Sequence, residues 1–165
     1  GTLGDAGAGL DILQNTLEVK GEARDVLINR HYFPTPRVAV GTALRRIATS
    51  CIDISDGLLS DLNHILTASG CGANIHVDRL PLSRAITSAV DNDTAIEYAL
   101  SAGDDYELIF TVSEEQKGNL ETSLASTNVK ATCIGQLSGH SSNLSLFKGE
   151  KPYTPKRDKG YEHNF

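Results

Sequence analysis

Between Cys51 and Gly70 the hydrophobic period switches from two to about 3.6 within a few residues. In CIDIS, Ile52 and Ile54 fall on one face and Cys51, Asp53 and Ser55 on the other. From Leu58 onward, Leu59, Leu62, Ile65 and Leu66 recur at helical spacing, and Gly70 follows as a C-terminal stop. A strand with one apolar face and a helix with one apolar stripe must each be covered, so this segment constrains the chain to sheet-and-helix architecture. Asp53, Ser55 and Asp56 sit at the junction, where strand turns into helix.

The remainder fits the same class. Helices are expected from Ala6 to Gln14, over ARDVLINRHYF, and over PRVAVGTALRRIATS, with Pro36 as the first helical residue after the PTP stop. LPLSRAITSAV and DTAIEYALSAG predict two short helices. ANIHVD alternates, with Ala73, Ile75 and Val77 turned inward. DYELIFTVS predicts a strand with Tyr106, Leu108, Phe110 and Val112 on one face, and SEEQKGNLETSLAS a helix opened by a Ser113–Gln116 capping box. VKATCIGQL reads as a strand and LSLFKGEKPY as a hairpin turning near Lys148 and Gly149; the tail TPKRDKGYEHNF is polar and without clear structure. Strands and helices mix without a strict βαβ rhythm. The expected fold class is therefore α+β, a mixed β-sheet packed by helices, with residues 1–165 forming one domain.

Bulk properties narrow the function. A chain of 165 residues can bury one real core. A net charge of -6 argues against a nucleic-acid partner, yet it leaves phosphorylated small molecules open, because Mg²⁺ can bring positive charge to an acidic site. The three cysteines lack metal-ligand spacing and are odd in number, which argues against zinc and against a disulfide framework. Cys51 and Cys133 are expected as small core residues in a reducing cytoplasm. No stretch approaches the roughly 18 apolar residues of a membrane span, and no signal peptide is expected. The chain has no Met, and its opening GTLGDAGAGLDIL reads as cut from something longer.

Four constellations can carry chemistry. In DISDGL, alternation puts Asp53 and Ser55 on one face, and Asp56 is expected to open the helix. Two carboxylates beside a helix start suit Mg²⁺, with the serine hydroxyl and free N–H groups meeting a phosphate. The plainer alternative makes Asp56 or Ser55 an N-cap, which leaves Asp53 unexplained. In SAGDDYELIF, Asp104 and Asp105 stand at the mouth of an apolar strand, as site acids or as a solvated loop. The glycines of GTLGDAGAGL match neither phosphate-loop pattern; close helix packing is the alternative to a phosphate cradle. His31, His64, His76, His140 and His163 are scattered, and neither a metal motif nor a nucleophile–base arrangement can be justified from them.

Together, GTLGDAGAGLDILQN, RHYFPTPRVAVGTAL, CIDISDGLLSDLNHILTASGCGANIHVDRLPLS, ALSAGDDYELIFTV and KGYEHNF resemble, in order and over essentially the whole chain, the C-terminal half of the bacterial thiamine-monophosphate kinase family. Aminoimidazole-ribonucleotide synthetase, selenophosphate synthetase and the hydrogenase maturation dehydratase share the architecture without this full set of motifs. The resemblance implies transfer of a phosphoryl group from ATP to thiamine monophosphate with Mg²⁺. It further implies Asp53 and Asp56 as Mg²⁺ ligands, Ser55 as an ATP contact, and Asp104 and Tyr161 as substrate contacts. It implies an N-terminal domain, absent from this sequence, that carries most ATP contacts and the main homodimer interface. An apolar or small-residue patch is then expected to lie exposed near the glycine-rich start. An isolated thiamine-phosphate or nucleotide-binding module without turnover, and a sister ATP-dependent synthetase, are the competing functions.

Overall fold

A computed structural model describes residues 1–139 and 143–156. Three helices come first: α1 (Asp5–Leu13), α2 (Glu22–Tyr32) and α3 (Val38–Ala43). Then follow β1 (Ala48–Asp53), α4 (Leu58–Ser69), β2 (Gly72–His76), α5 (Arg84–Ala89), α6 (Asn92–Ser101) and β3 (Leu108–Val112). The described chain closes with α7 (Lys117–Leu124), β4 (Gly135–Ser138), β5 (Leu144–Lys148) and β6 (Lys151–Pro152). The class is α+β, but the strands form two sheets rather than one. β1 and β3 make an antiparallel ribbon, with Asp53 opposite Leu108. The second sheet has the order β4-β2-β5-β6 and is mixed: β2 runs antiparallel to β4 and parallel to β5.

The main core forms where α4 covers both sheets. Leu58, Leu62 and Leu66 of α4 meet Ile54, Ile75, Leu100 and Ile109. Fully burying a leucine of this kind contributes about 2 kcal/mol. Ala73, Ile75 and Val77 are buried, as the alternation of β2 predicts. A second cluster joins α1, α2, α5 and α6 through Ile12, Leu27, Ile86 and Tyr98. Helices α1 and α2 touch so closely that a Cβ on Gly9 would lie 2.3 Å from the Leu27 carbonyl oxygen. The glycine-rich start thus serves helix packing. It is largely buried and leaves no exposed patch there; the exposed large apolar side chains include Tyr32, Phe33 and Val38 instead.

Other expectations are corrected. β3 is covered on both faces: Ile109 enters the main core, while Leu108 and Phe110 pack on Val40, Leu44 and Leu124. Tyr106 precedes the strand and is exposed, not part of a buried face. The helix after Pro36 starts at Val38 and stops at Ala43, because the chain must extend again for β1. Ser113 makes no side-chain cap; a 3₁₀ turn over Glu114–Gln116 precedes α7, and Gln116 accepts from Asn119. Only the last three residues of the VKATCIGQL run pair as strand, in β4 (Gly135–Ser138). Cys51 and Cys133 are exposed rather than core residues: Cys51 lies on the outward face of β1, and Cys133 precedes β4 in an irregular segment. The hairpin at Gly149 forms as expected, with φ +60° at the glycine. Among the described residues no helix is long and apolar enough to cross a membrane.

Candidate functional site

Two loops build the site. Residues 54–57 leave β1 and enter α4, and residues 102–107 leave α6 and enter β3. They are laced by backbone hydrogen bonds: Asp104 N–H donates to Ser55 O (2.9 Å), Tyr106 N–H to Ile54 O (2.9 Å), and Ile54 N–H to Glu107 O (2.8 Å). The ribbon β1–β3 thus continues past its last strand pair into irregular backbone. Gly103 and Gly57 permit the approach. A Cβ on Gly103 would meet Ser55 O at 2.3 Å, and one on Gly57, at φ +108°, would meet Ser101 O at 2.8 Å.

The same lacing imposes left-handed backbone on two residues that are not glycine, Asp104 at φ +67° and Tyr106 at φ +49°. Such positions are costly for a bulky residue and persist where the surroundings over-determine them. Between them Asp105 is 2% exposed and turns toward α1, where it accepts from the amides of Gly4 (2.6 Å) and Ala6 (3.3 Å). Burial pushes the Asp105 carboxyl up to about 7; the two amides oppose that shift and Asp5 adds to it. Asp105 is therefore neither a solvated loop residue nor a site acid. It occupies the helix start that a phosphate would otherwise take.

A second acid does the same for DISDGL. Asp61, in the first turn of α4 and 2% exposed, accepts from Ser55 N–H (2.9 Å) and Asp56 N–H (3.1 Å). Burial raises its pKa, and these two amides oppose the rise. Asp56 therefore does not open α4; the helix starts at Leu58 behind Gly57, and neither Asp56 nor Ser55 caps it. The amides of Ser55 and Asp56 are committed to Asp61 and are not free for a phosphate. Sequence reasoning missed Asp61. Its signal was present: an acid inside the apolar stripe formed by Leu58, Leu62 and Ile65.

Behind the site lies a buried ion-pair cluster. Glu107 accepts from Arg37 (2.6 and 2.7 Å) and Arg30 (3.1 Å). Burial would raise its pKa, but Arg37 first, then the Gly1 amine and Arg30, together outweigh that and hold the carboxyl below the ordinary value. This cluster ties α2 and the start of α3 to the entry of β3. The last described residues are tied down as well: Tyr153 Oη donates to Glu97 (2.5 Å), and Lys156 N–H donates to it too (2.9 Å).

Asp53, Ser55, Asp56 and Asp104 are brought together by this lacing. Asp53 ends β1 on its exposed side, and Asp56 and Asp104 are half-buried. The Tyr106 phenol senses them jointly: Asp104 most strongly, then burial, then Asp53 and Asp56, all raising its pKa. Among the described residues no hydrogen-bond donor or cation partners the carboxylates of Asp53 and Asp56, so both offer hard oxygen atoms outward. That donor set fits Mg²⁺, which accepts one or two carboxylates and completes its shell with waters and phosphate oxygens. No group of three or more His, Cys, Asp or Glu among the described residues forms a ready-made metal cage. A cavity of about 1100 Å³ beside β3, α7 and β4 is lined by Ile54, Leu58, Ile75 and Ile109; none of Asp53, Asp56 or Asp104 lines it. Tyr161 lies outside the described residues.

The family model described as AIR synthase related protein, C-terminal domain, matches residues 1–144. The chain belongs to that family. Within it, the chain is 49% identical over 164 residues to the thiamine-monophosphate kinase of Salmonella typhimurium, covering 99% of this chain and 50% of that protein. Among solved structures, a thiamine-monophosphate kinase from Stenotrophomonas maltophilia K279a superposes with TM-score 0.79 at 37% identity, covering 88% of this chain and 48% of that one. AaThiL complexed with AMPPCP and TMP superposes with TM-score 0.78 at 34% identity, covering 99% and 49% respectively. This member of the family therefore spans about half the length of the curated relatives it matches.

Proposed function

We propose that this chain is the C-terminal domain of a thiamine-monophosphate kinase, which transfers the terminal phosphoryl group of ATP to thiamine monophosphate. The observation that carries the proposal is the convergence of Asp53, Asp56 and Asp104 on one exposed surface, in a fold shared with a relative complexed with AMPPCP and TMP. We read that TMP as thiamine monophosphate. Asp53 and Asp56 would hold Mg²⁺, which neutralises charge on the phosphoryl groups when bound. The Ser55 hydroxyl would contact ATP. Asp104 would face the substrate, and the hydrogen bond from its N–H to Ser55 O holds its backbone beside Ser55 before any ligand arrives. Tyr161 completes the substrate contacts in this reading. The acids lie on surface and not in an enclosed cavity, which suits a site closed by a second domain. That upstream half would supply the remaining ATP contacts and the homodimer interface. Free Cys51, Cys71 and Cys133 fit a reducing cytoplasm.

An ADP-release assay tests the proposal. Full-length protein should turn over thiamine monophosphate with ATP and Mg²⁺, and the 165-residue chain alone should not, because donor and acceptor must be held in line. Full-length protein that leaves thiamine monophosphate untouched refutes the function. Robust turnover by the chain alone refutes the domain assignment.

A further inference from the structure

Tyr106 is the one exposed aromatic ring within electrostatic reach of all three site acids among the described residues, and nothing above assigns it a task. Its side chain is 38% exposed. A tyrosine that followed β3's alternation would lie against Leu108 and Phe110 at the covered face of the ribbon. It does not, because φ is +49° at Tyr106 and +67° at Asp104. The two left-handed residues flank Asp105, which is drawn inward to the amides of Gly4 and Ala6. Asp104 and Tyr106 are thereby presented together beside Asp53 and Asp56. The strained backbone is held from the opposite loop by Ser55 O and Ile54 O. A bulky residue in this conformation gains nothing for folding that an asparagine or glycine would not supply at lower cost.

The surroundings define what such a ring can bind. Every charge acting most strongly on the phenol is a carboxylate: Asp104, Asp53 and Asp56. An aromatic face already attracts cations through its quadrupole, and Asp104, the nearest of these acids and the one not assigned to the metal, strengthens that preference. A neutral or anionic ring gains little there. A flat cationic ring gains both stacking area and charge.

We propose that Tyr106 is a specificity-determining residue, whose ring receives the cationic heterocycle of the phosphate-ester substrate while Asp104 flanks it. This rests on the kinase reading above and deepens it. The ester's phosphate then extends toward Asp53 and Asp56, where metal-bound charge compensation is available. Discrimination follows: the site selects a phosphate ester with a permanently cationic ring over one with an uncharged ring of the same shape.

The test uses full-length protein and two acceptors, thiamine monophosphate and an isosteric analogue whose thiazolium is replaced by a neutral thiophene. Wild type, Tyr106→Phe, Tyr106→Leu and Tyr106→Asn are compared; the asparagine tolerates the left-handed backbone and keeps the fold. Tyr106→Asn and Tyr106→Leu should raise the KM for thiamine monophosphate by roughly three- to thirty-fold and leave the KM for ATP within about two-fold. Tyr106→Phe should keep the preference for the cationic ring, and the asparagine variant should lose most of it. A merely structural tyrosine would lower the melting temperature without changing that preference. Active wild type with an unchanged preference in Tyr106→Asn overturns this inference alone. Wild type inactive on thiamine monophosphate overturns the kinase reading and this inference with it.

Discussion

The carboxylate of Asp61 lies 2.9 Å from the amide nitrogen of Ser55, so the loop that presents Asp53 and Asp56 is held by an acid that faces away from solvent. The same carboxylate takes the Asp56 amide at 3.1 Å. A site acid and its support thus come from one short stretch of chain, with the support hidden in the helix.

Removing that support should cost both fold and activity. Asp61→Ala leaves two amides without their acceptor, at about 1–3 kcal/mol of stability. Asp61→Asn keeps one acceptor oxygen and should cost less. In full-length protein the alanine variant should also need more Mg²⁺ for half-maximal rate, because Asp56 is no longer fixed. Urea denaturation of the chain and a Mg²⁺ titration of turnover check the two effects separately.

Asp105 makes stability depend on pH in an unusual direction for a carboxylate. Its folded pKa is raised to about 7, above the ordinary value of 3.8, so between those values the folded state holds a proton that the unfolded state has lost. Its contribution to stability is therefore full below about pH 4 and is lost as pH rises through 7. Asp105→Asn removes this dependence. The difference in unfolding free energy, wild type minus Asp105→Asn, should fall by a few kcal/mol, on the order set by such a shift, between pH 4 and 8. Denaturation midpoints across that range give the measurement.

Gly103 offers a steric probe of the loop lacing. Its backbone is not left-handed, so Gly103→Ala adds no conformational strain, only a methyl group 2.3 Å from Ser55 O. The two loops must part, at about 1–3 kcal/mol. The KM for thiamine monophosphate and the Mg²⁺ requirement should rise together, since Asp104 and Asp56 separate. Kinetics of the full-length variant at several Mg²⁺ concentrations decide it.

What was legible in the sequence was whatever periodicity controls. The buried face of α4, the inward set of β2 and the hairpin at Gly149 all follow from spacing or from one glycine. The convergence of DISDGL with GDDYEL was legible only through family resemblance, because the pairing of Asp104 with Ser55 joins residues far apart in sequence. What escaped was the use of acids as internal caps. Asp61 and Asp105 look like site residues or surface residues in sequence, and only the placement of unpaired amides beside them reveals their role. The Ser113–Gln116 capping box failed for the converse reason: a local pattern offered a cap, and a 3₁₀ turn satisfied the backbone instead.

In the proposed kinase, Asp53 and Asp56 hold the metal that serves phosphoryl transfer. Neither carboxylate has a hydrogen-bonding partner among the described residues, so Asp53→Asn and Asp56→Asn should fold like wild type. The most direct measurement is steady-state thiamine monophosphate phosphorylation by each full-length variant over a Mg²⁺ titration. Each variant should lose about two orders of magnitude or more in kcat/KM, with a raised Mg²⁺ requirement and an unchanged melting temperature. Activity within a few-fold of wild type for both variants would contradict the metal assignment.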